Sequence, residues 1–377
     1  RVLFRSSIIQ QNKIGLTFDS VNVWNGSEET PPAFGEVFIS LKPTGAYNLT
    51  ESQKNRLIAE VIKPVSVVTV EPRILDPDYT FIKIEANVLY DQKRTNLTAG
   101  QLQEVVKTAI QNFADSTLNT FNSTFSNSDL MIAIQSADNS IITNECIIQI
   151  QKKFYPLLGS EASYVLNYGV PLERGVFSAG IYSYPTFQYY ISSIPPVLEN
   201  AVYIEEVPFP TSGLDSIKII NPGFNYIKAP IVTITGDGTG ATASAKVVNG
   251  IIKSISITNS GNNYTQAIVT ITNDPTDTSG TGGSAYAVLQ GQYGKLRSYY
   301  YDSKNVKTIF NDNLGSIDYY NGVINLNSFG PYDVNDPYGQ LTITANPKST
   351  IISSAKNRIV TVDPFDPTAI LVNVTAK

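Results

Sequence analysis

Gly236-Asp237-Gly238-Thr239-Gly240 is the segment of this sequence closest in type to a reactive loop, and two chemistries fit its residues. One is phosphate cradling by glycine backbone amides; the other is an Asp-Gly-Thr-Gly turn that offers one carboxylate of a proton-sharing pair. A Walker-type phosphate loop needs a Lys followed by Ser or Thr and then a helix, but here a run of Ala and Ser leads into a strand. A carboxylate pair needs a second Asp in the same frame, and Asp277-Thr278-Ser279-Gly280 is out of frame. The segment therefore reads as a turn. Asp237, Asp274 and Asp277 invite a Ca²⁺ reading, yet they lack EF-hand spacing and a following bidentate Glu, so they read as solvated loop carboxylates.

The chain contains no His, which removes the usual general base and the commonest metal ligand, and with them Ser-His-Asp and Cys-His catalysis. Cys146 is the single thiol; it lies in an apolar run, reads as a buried strand residue, and has no partner for an intrachain disulfide. No catalytic residue, metal site or cofactor is expected, and the chain reads as a non-enzyme. The remaining chemistry belongs to Tyr. Tyr299-Tyr300-Tyr301 and Tyr189-Tyr190 could stack sugars, but strand alternation points successive side chains to opposite faces, which favours a core-plus-interface role.

Composition points the same way. Charged residues make up 16% of the 377, against roughly 25% in typical domains, while 22 Tyr and 16 Phe raise the aromatic share to 10%. Disordered chains are charged and poor in aromatics, so this composition implies ordered structure with uncharged contact surfaces. A net charge of −5 lacks the basic footprint of a nucleic-acid binder. No run of 18 apolar residues could anchor the chain in a membrane. The start, Arg1-Val2-Leu3, lacks an initiator Met and suggests that a further segment precedes it.

The elements that must position these residues form five segments. Residues 1–36 read as an N-terminal extended segment. Residues 37–155 read as an α+β domain of split βαβ type: a strand at Val37–Leu41, a capping box at Thr50–Gln53 opening a helix that Pro64 stops, a strand at Val65–Val70, and a long strand at Phe81–Tyr90. A second capping box, Thr98–Gln101, opens an amphipathic helix over 99–119 with Leu102, Val105, Val106, Ala109, Ile110 and Phe113 on one face. A shorter helix over 129–138 and a strand at Cys146–Ile150 complete the domain. Residues 156–215, which include Ser193-Ile194-Pro195-Pro196, read as a β-rich connector.

Residues 216–296 hold an internal repeat, in which Ile217–Tyr226 matches Ile255–Tyr264 and Ile231–Thr235 matches Ile268–Thr272. Gly238-Thr239-Gly240-Ala241 likewise matches Gly280-Thr281-Gly282-Gly283, so the insertion reads as a two-copy Gly-rich β-meander. Residues 297–377 read as a C-terminal β or α+β domain with an Asn321-Gly322 hairpin turn.

Val21-Asn22-Val23-Trp24-Asn25-Gly26 followed by Pro31-Pro32-Ala33-Phe34-Gly35-Glu36, with the stretch from Val70-Glu71-Pro72 to Ser128-Asp129-Leu130, resembles the baseplate J family of contractile-tailed phage baseplate wedge proteins. The resemblance covers about residues 15–155. The repeat resembles Gly-rich β insertions in structural proteins of marine cyanobacterial phages. It implies a structural subunit of the virion tail baseplate, assembled in the host cytoplasm, that dimerises with itself and links neighbouring wedges into a ring around the hub alongside other wedge proteins. The family's bundle-contacting N-terminal part has no counterpart in this sequence. Candidate interface residues on this reading are Trp24, Pro31, Pro32, Phe34, Tyr299, Tyr301 and Tyr319. A receptor- or carbohydrate-binding tail protein that uses the Gly-rich repeat is the competing reading.

Overall fold

The computed structural model describes residues 14–377 apart from 30, 67–69, 175–179, 192–195, 209–212 and 265. Strand predominates, and three separate hydrophobic cores organise it. The first core belongs to a small βαβ unit. Strands β1 (Phe18–Asn25) and β2 (Glu36–Pro43) are antiparallel. Helix α1 (Glu51–Arg56) continues as a π-helical stretch, Leu57–Ile62, and β3 (Glu71–Leu75) returns parallel to β2. The Thr50 capping box forms as its sequence predicts, with Gln53 N–H donating to Thr50 Oγ1 at 3.3 Å and Thr50 N–H to Gln53 Oε1 at 2.9 Å. Ile39, Leu41, Leu57 and Ile62 are buried together, and each such side chain contributes about 1.5–3 kcal/mol.

Two expectations are corrected in this unit. The segment before residue 37 is not simply extended chain, because residues 18–25 are a sheet strand. The strand expected at Val65–Val70 is displaced: Lys63–Val65 is a 3₁₀ turn, 67–69 lie outside the described residues, and pairing begins at Glu71. Pro72 falls within β3 and is tolerated there because β3 is an edge strand.

The second core underlies a 13-stranded sheet that opens with β4 (Asp78–Tyr90). Helix α2 (Ala99–Thr117), strand β5 (Thr124–Ser126) and helix α3 (Asn127–Gln135) precede β6 (Ile141–Phe154). Leu102, Val106, Ile110 and Ala114 form the buried stripe of α2, while Val105, Ala109 and Phe113 flank it half-buried. A split βαβ unit would bring β6 back parallel to β4, but β6 is its antiparallel neighbour. The excursion through both helices returns directly to the adjacent position, as a long hairpin does.

Next come β7 (Ala162–Asn167), β8 (Tyr182–Tyr184), β9 (Phe187–Ile191) and β10 (Val197–Pro208). Residues 192–195 of the Ser193-Ile194-Pro195-Pro196 stretch lie outside the described residues.

The third core belongs to the repeat. Copy one is β11 (Leu214–Phe224), β12 (Ile231–Gly236) and β13 (Thr239–Val248); copy two is β14 (Ile251–Asn262), β15 (Ala267–Thr272) and β16 (Thr281–Leu289). A meander would pair neighbours within each copy. Instead β11 pairs with β16, β12 with β15 and β13 with β14, so every ladder joins one copy to the other. Exchanging the copies maps this pattern onto itself, which gives the module a pseudo-twofold.

Matching residues make matching contacts. Tyr226 Oη accepts Gly283 N–H at 3.1 Å, and Tyr264 Oη accepts Ala241 N–H at 3.4 Å. Gly280 and Gly238 lie so close to these rings that a Cβ would come within 2.2 and 2.4 Å of ring carbons. Close approach therefore accounts for Gly238 in the Asp-Gly-Thr-Gly segment.

The large sheet resumes with β17 (Tyr293–Tyr301), β18 (Lys307–Asp318), β19 (Val323–Phe329), β20 (Asp333–Val334) and β21 (Leu341–Ala345); then follow β22 (Ile351–Ser353), β23 (Arg358–Thr361) and β24 (Ile370–Ala376). Asn321-Gly322 lies in a four-residue connection in which Asp318 faces Val323, and Gly322 takes φ +66°. It is thus longer than the two-residue turn expected.

The C-terminal strands do not build a domain of their own. β21 pairs with β6, while β23 and β24 lie parallel to β4, and all share the second core. The cores thus divide the chain into 14–75, the large sheet, and the 214–289 module, rather than at residues 36, 155 and 296.

Leu214 faces Leu289, and Gln290 N–H donates to Gly213 C=O at 2.8 Å, so the module enters and leaves the sheet at one point. Replacing residues 214–289 by a short Gly-Ser linker is expected to leave cooperative unfolding of the remainder intact in calorimetry. Loss of that transition would show that the sheet depends on the module.

Candidate interaction site

The loop after β1 presents an aromatic tip on a rigid base. Asn25 begins it with a capping box, its side chain accepting Ser27 N–H at 2.9 Å and its own N–H donating to Glu28 Oε1 at 3.3 Å. Ala33 N–H then donates to Gly26 C=O at 2.8 Å and closes the loop. Only Gly fits at 26, since a Cβ there would lie 2.0 Å from Ala33 O.

Beneath the loop, Trp24 stacks on Phe38 at 5.8 Å and donates Nε1–H to Glu29 Oε1 at 2.5 Å. Lys356 Nζ lies 3.0 Å from the same carboxylate. The Trp24 hydrogen bond first, then Lys356, hold the Glu29 carboxyl below its ordinary range. Phe34 stands 82% exposed on this base, beside exposed Pro31 and Pro32.

The sequence candidates therefore separate. Trp24, at 7% exposure, is taken up by the chain's own packing and supports the tip instead of forming contact surface. Tyr319 is likewise internal at 4% exposure. Its N–H donates to Gln292 C=O at 3.0 Å, and its C=O accepts Leu172 N–H at 2.7 Å. Both are interface candidates by residue type, and aromatic type alone does not distinguish an inward ring from an outward one.

Tyr301, 46% exposed, and half-buried Tyr299 lie in a row with Tyr203. Tyr203 stacks on Tyr299 at 5.2 Å, and Tyr301 meets Tyr299 edge-on at 5.8 Å. Lys307 Nζ covers the Tyr299 ring at 3.9 Å. Glu205 joins Arg297 at 2.6 Å and Lys307 at 2.5 Å, and the row's faces are largely consumed by these contacts. Burial, then Glu205, push the Tyr299 hydroxyl up to about 12.

The residues that invited catalytic readings have structural partners. Asp237 Oδ1 accepts Gln266 N–H at 2.9 Å, and Asp277 Oδ2 accepts the N–H groups of Ile227 and Lys228 at 2.8 and 3.0 Å. Gln266 and Lys228 are equivalent under the pseudo-twofold, so the two carboxylates correspond as backbone clips. The Ser279 hydroxyl, then the Lys228 and Ser279 amides, hold Asp277 well below the ordinary carboxylate range. Burial and Glu145 raise the Cys146 thiol to about 11, which keeps it protonated at neutral pH. Among the described residues no three acidic or thiol side chains cluster as a metal site.

Sequence reasoning missed the junction between the first unit and the large sheet. Tyr47 Oη donates to Asp363 Oδ1 at 2.9 Å, while Asp363 Oδ2 meets Lys153 Nζ at 2.5 Å. Tyr79, Phe81 and Phe365 surround the Tyr47 ring at 4.9, 5.8 and 6.0 Å. A contact that spans over three hundred residues leaves no local signal; the Asp363-Pro364 turn was visible only as a turn.

Comparison with known proteins gives two adjacent matches. Residues 6–75 match the family described as Baseplate structural protein gp6, C-terminal domain I, and residues 78–153 match Baseplate structural protein gp6, C-terminal domain III. Over 127 residues the chain is 27% identical to baseplate wedge protein gp6 of Enterobacteria phage T4, an alignment that covers 34% of this chain and 19% of that protein.

Proposed function

We propose that this chain is a structural, non-catalytic part of a phage tail baseplate wedge, resident in the virion and assembled in the host cytoplasm. One observation carries the reading: the two family matches meet between residues 75 and 78, where the first core ends at β3 and the large sheet begins at β4. Sequence similarity and independent packing thus divide the chain at the same place. On this reading the chain pairs with a second copy and with other wedge proteins, and so links neighbouring wedges into a ring around the hub. A cyanobacterial-phage source, which the resemblance of the Gly-rich repeat implies, belongs to the same proposal.

Pro31, Pro32 and Phe34 are the contact residues we assign first, because a rigid exposed aromatic loses little freedom on docking. Tyr301, 46% exposed at the end of the row that covers Tyr299, is a second contact residue on this reading. Phe34→Glu is expected to leave the unfolding midpoint essentially unchanged, since the side chain is exposed. It is expected to weaken binding to a purified sister wedge protein by about thirtyfold, the effect of losing a hot-spot residue. Sedimentation of the mixed proteins reads both self-association and wedge binding. Unaltered association in the variant would remove the loop from the interface, and strict monomers that bind no wedge protein would overturn the proposal.

A further inference from the structure

The repeat module does not only project from the sheet; its second copy closes a cleft against it. A cavity of about 630 Å³ lies between them, lined by Glu173, Arg174 and Lys348 on the sheet side, Tyr320 on the turn after β18, and Asn263, Gln290 and Gln292 from the module and its exit. That volume is within the range of small-ligand sites, which favour junctions between units. The pseudo-twofold is broken here: Asn263 and Tyr264 line the cleft, whereas their counterparts Asn225 and Tyr226 do not.

Tyr320 distinguishes this cleft from the other aromatic surfaces. It is 71% exposed and, among the described residues, makes no ring contact, in contrast to the self-covered Tyr203–Tyr299–Tyr301 row. Its neighbour Tyr319 is locked into the sheet, and Asn321 N–H donates to Asp318 Oδ1 at 3.0 Å, so the turn that offers the Tyr320 ring is fixed. Around it stand the side-chain amides of Asn263, Gln290 and Gln292, of which Gln290 already donates to Leu214 C=O at 3.4 Å, with the charged Glu173, Arg174 and Lys348. A free aromatic face surrounded by paired donors and acceptors matches a molecule with an apolar C–H face and a rim of hydroxyls.

We propose that this cleft binds a saccharide, with one sugar ring laid on Tyr320 and its hydroxyls held by Asn263, Gln290 and Gln292. Glu173, Arg174 and Lys348 add charged groups of both signs to the lining. The site exists only where module and sheet meet, which gives the insertion a task separate from wedge assembly.

The test is to screen the full chain on an array of defined neutral and acidic oligosaccharides and to measure the hits by calorimetry. Tyr320→Ala is expected to weaken binding about tenfold, as loss of one aromatic contact does. Tyr320→Phe should retain it, and Asn263→Gly, which keeps the positive-φ backbone, should weaken it. Tyr301→Ala and Tyr338→Ala, at exposed rings outside the cleft lining, should leave it unchanged. No saccharide bound, binding indifferent to Tyr320→Ala, or loss confined to Tyr301→Ala would each overturn the proposal.

Discussion

Asp363→Ala is expected to cost the fold about 3–5 kcal/mol, the penalty for leaving a buried cation without its partner. Lys153 and Asp363 are both less than a tenth exposed, and their contact is 2.5 Å; the next carboxylate, Asp366, is 3.6 Å from Lys153 Nζ. Truncation also removes the acceptor for Tyr47 Oη and for Phe365 N–H. The double variant Asp363→Ala with Lys153→Met should recover much of the loss, because an apolar chain can lie on the Phe81 ring that Lys153 Nζ now overlies at 5.1 Å. Urea denaturation of wild type, single and double variants measures this. A single variant within 1 kcal/mol of wild type would mean that the pair contributes little. Because Tyr47 belongs to the first unit and Asp363 to the large sheet, the single variant should also make the 44–50 loop more sensitive to protease.

Above pH 10 the protein should lose stability steeply. Burial raises the hydroxyls of Tyr168 and Tyr319 above their ordinary value, and also those of the half-buried Tyr47 and Tyr79. A group whose folded pKa is raised contributes stability below its unfolded pKa and loses it as pH rises beyond that point. The unfolded chain releases these protons from about pH 10, so Tyr168 and Tyr319 together should remove about 3 kcal/mol per pH unit. The partly exposed pair adds less.

Lys152 acts in the opposite sense at lower pH. Burial lowers its pKa to about 8 despite Asp78 at 2.5 Å, so from about pH 8 to its ordinary value the unfolded state holds more protons and stability rises. Urea midpoints should therefore climb modestly above pH 8 and then collapse past 10, with the exposed tyrosines ionising gradually and the buried ones only on unfolding. Ionisation of all 22 tyrosines in a chain that stays folded would contradict the account.

Local chemistry was legible and pairing was not. Thr50–Gln53 and Thr98–Gln101 signalled both capping boxes because the partners are three residues apart, and the stripe from Leu102 to Ile110 signalled the buried face of α2 by its period. The repeat, too, was visible as residues. Its cross-copy ladders were not, since equivalent strands carry the same alternation whichever neighbour they choose. β23 and β24 looked like a separate ending because nothing in Arg358–Thr361 or Ile370–Ala376 names β4 as their partner. At the candidate site, Phe34 was legible as an aromatic between Pro and Gly residues. Trp24 packs inward on Phe38 and Glu29 while Phe34 stands exposed past the Gly26–Ala33 closure, a tertiary arrangement that sequence does not express.

The junction where Gln290 N–H meets Gly213 C=O has a mechanical meaning. Tension transmitted along the chain through the large sheet crosses from one side of that point to the other without passing through the strands beyond it. The module is wired in parallel with the load, not in series. The sheet can stretch or shear while Tyr226 and Tyr264 keep their packing, and strain reaches the module only across the cleft that Asn263 and Tyr320 line.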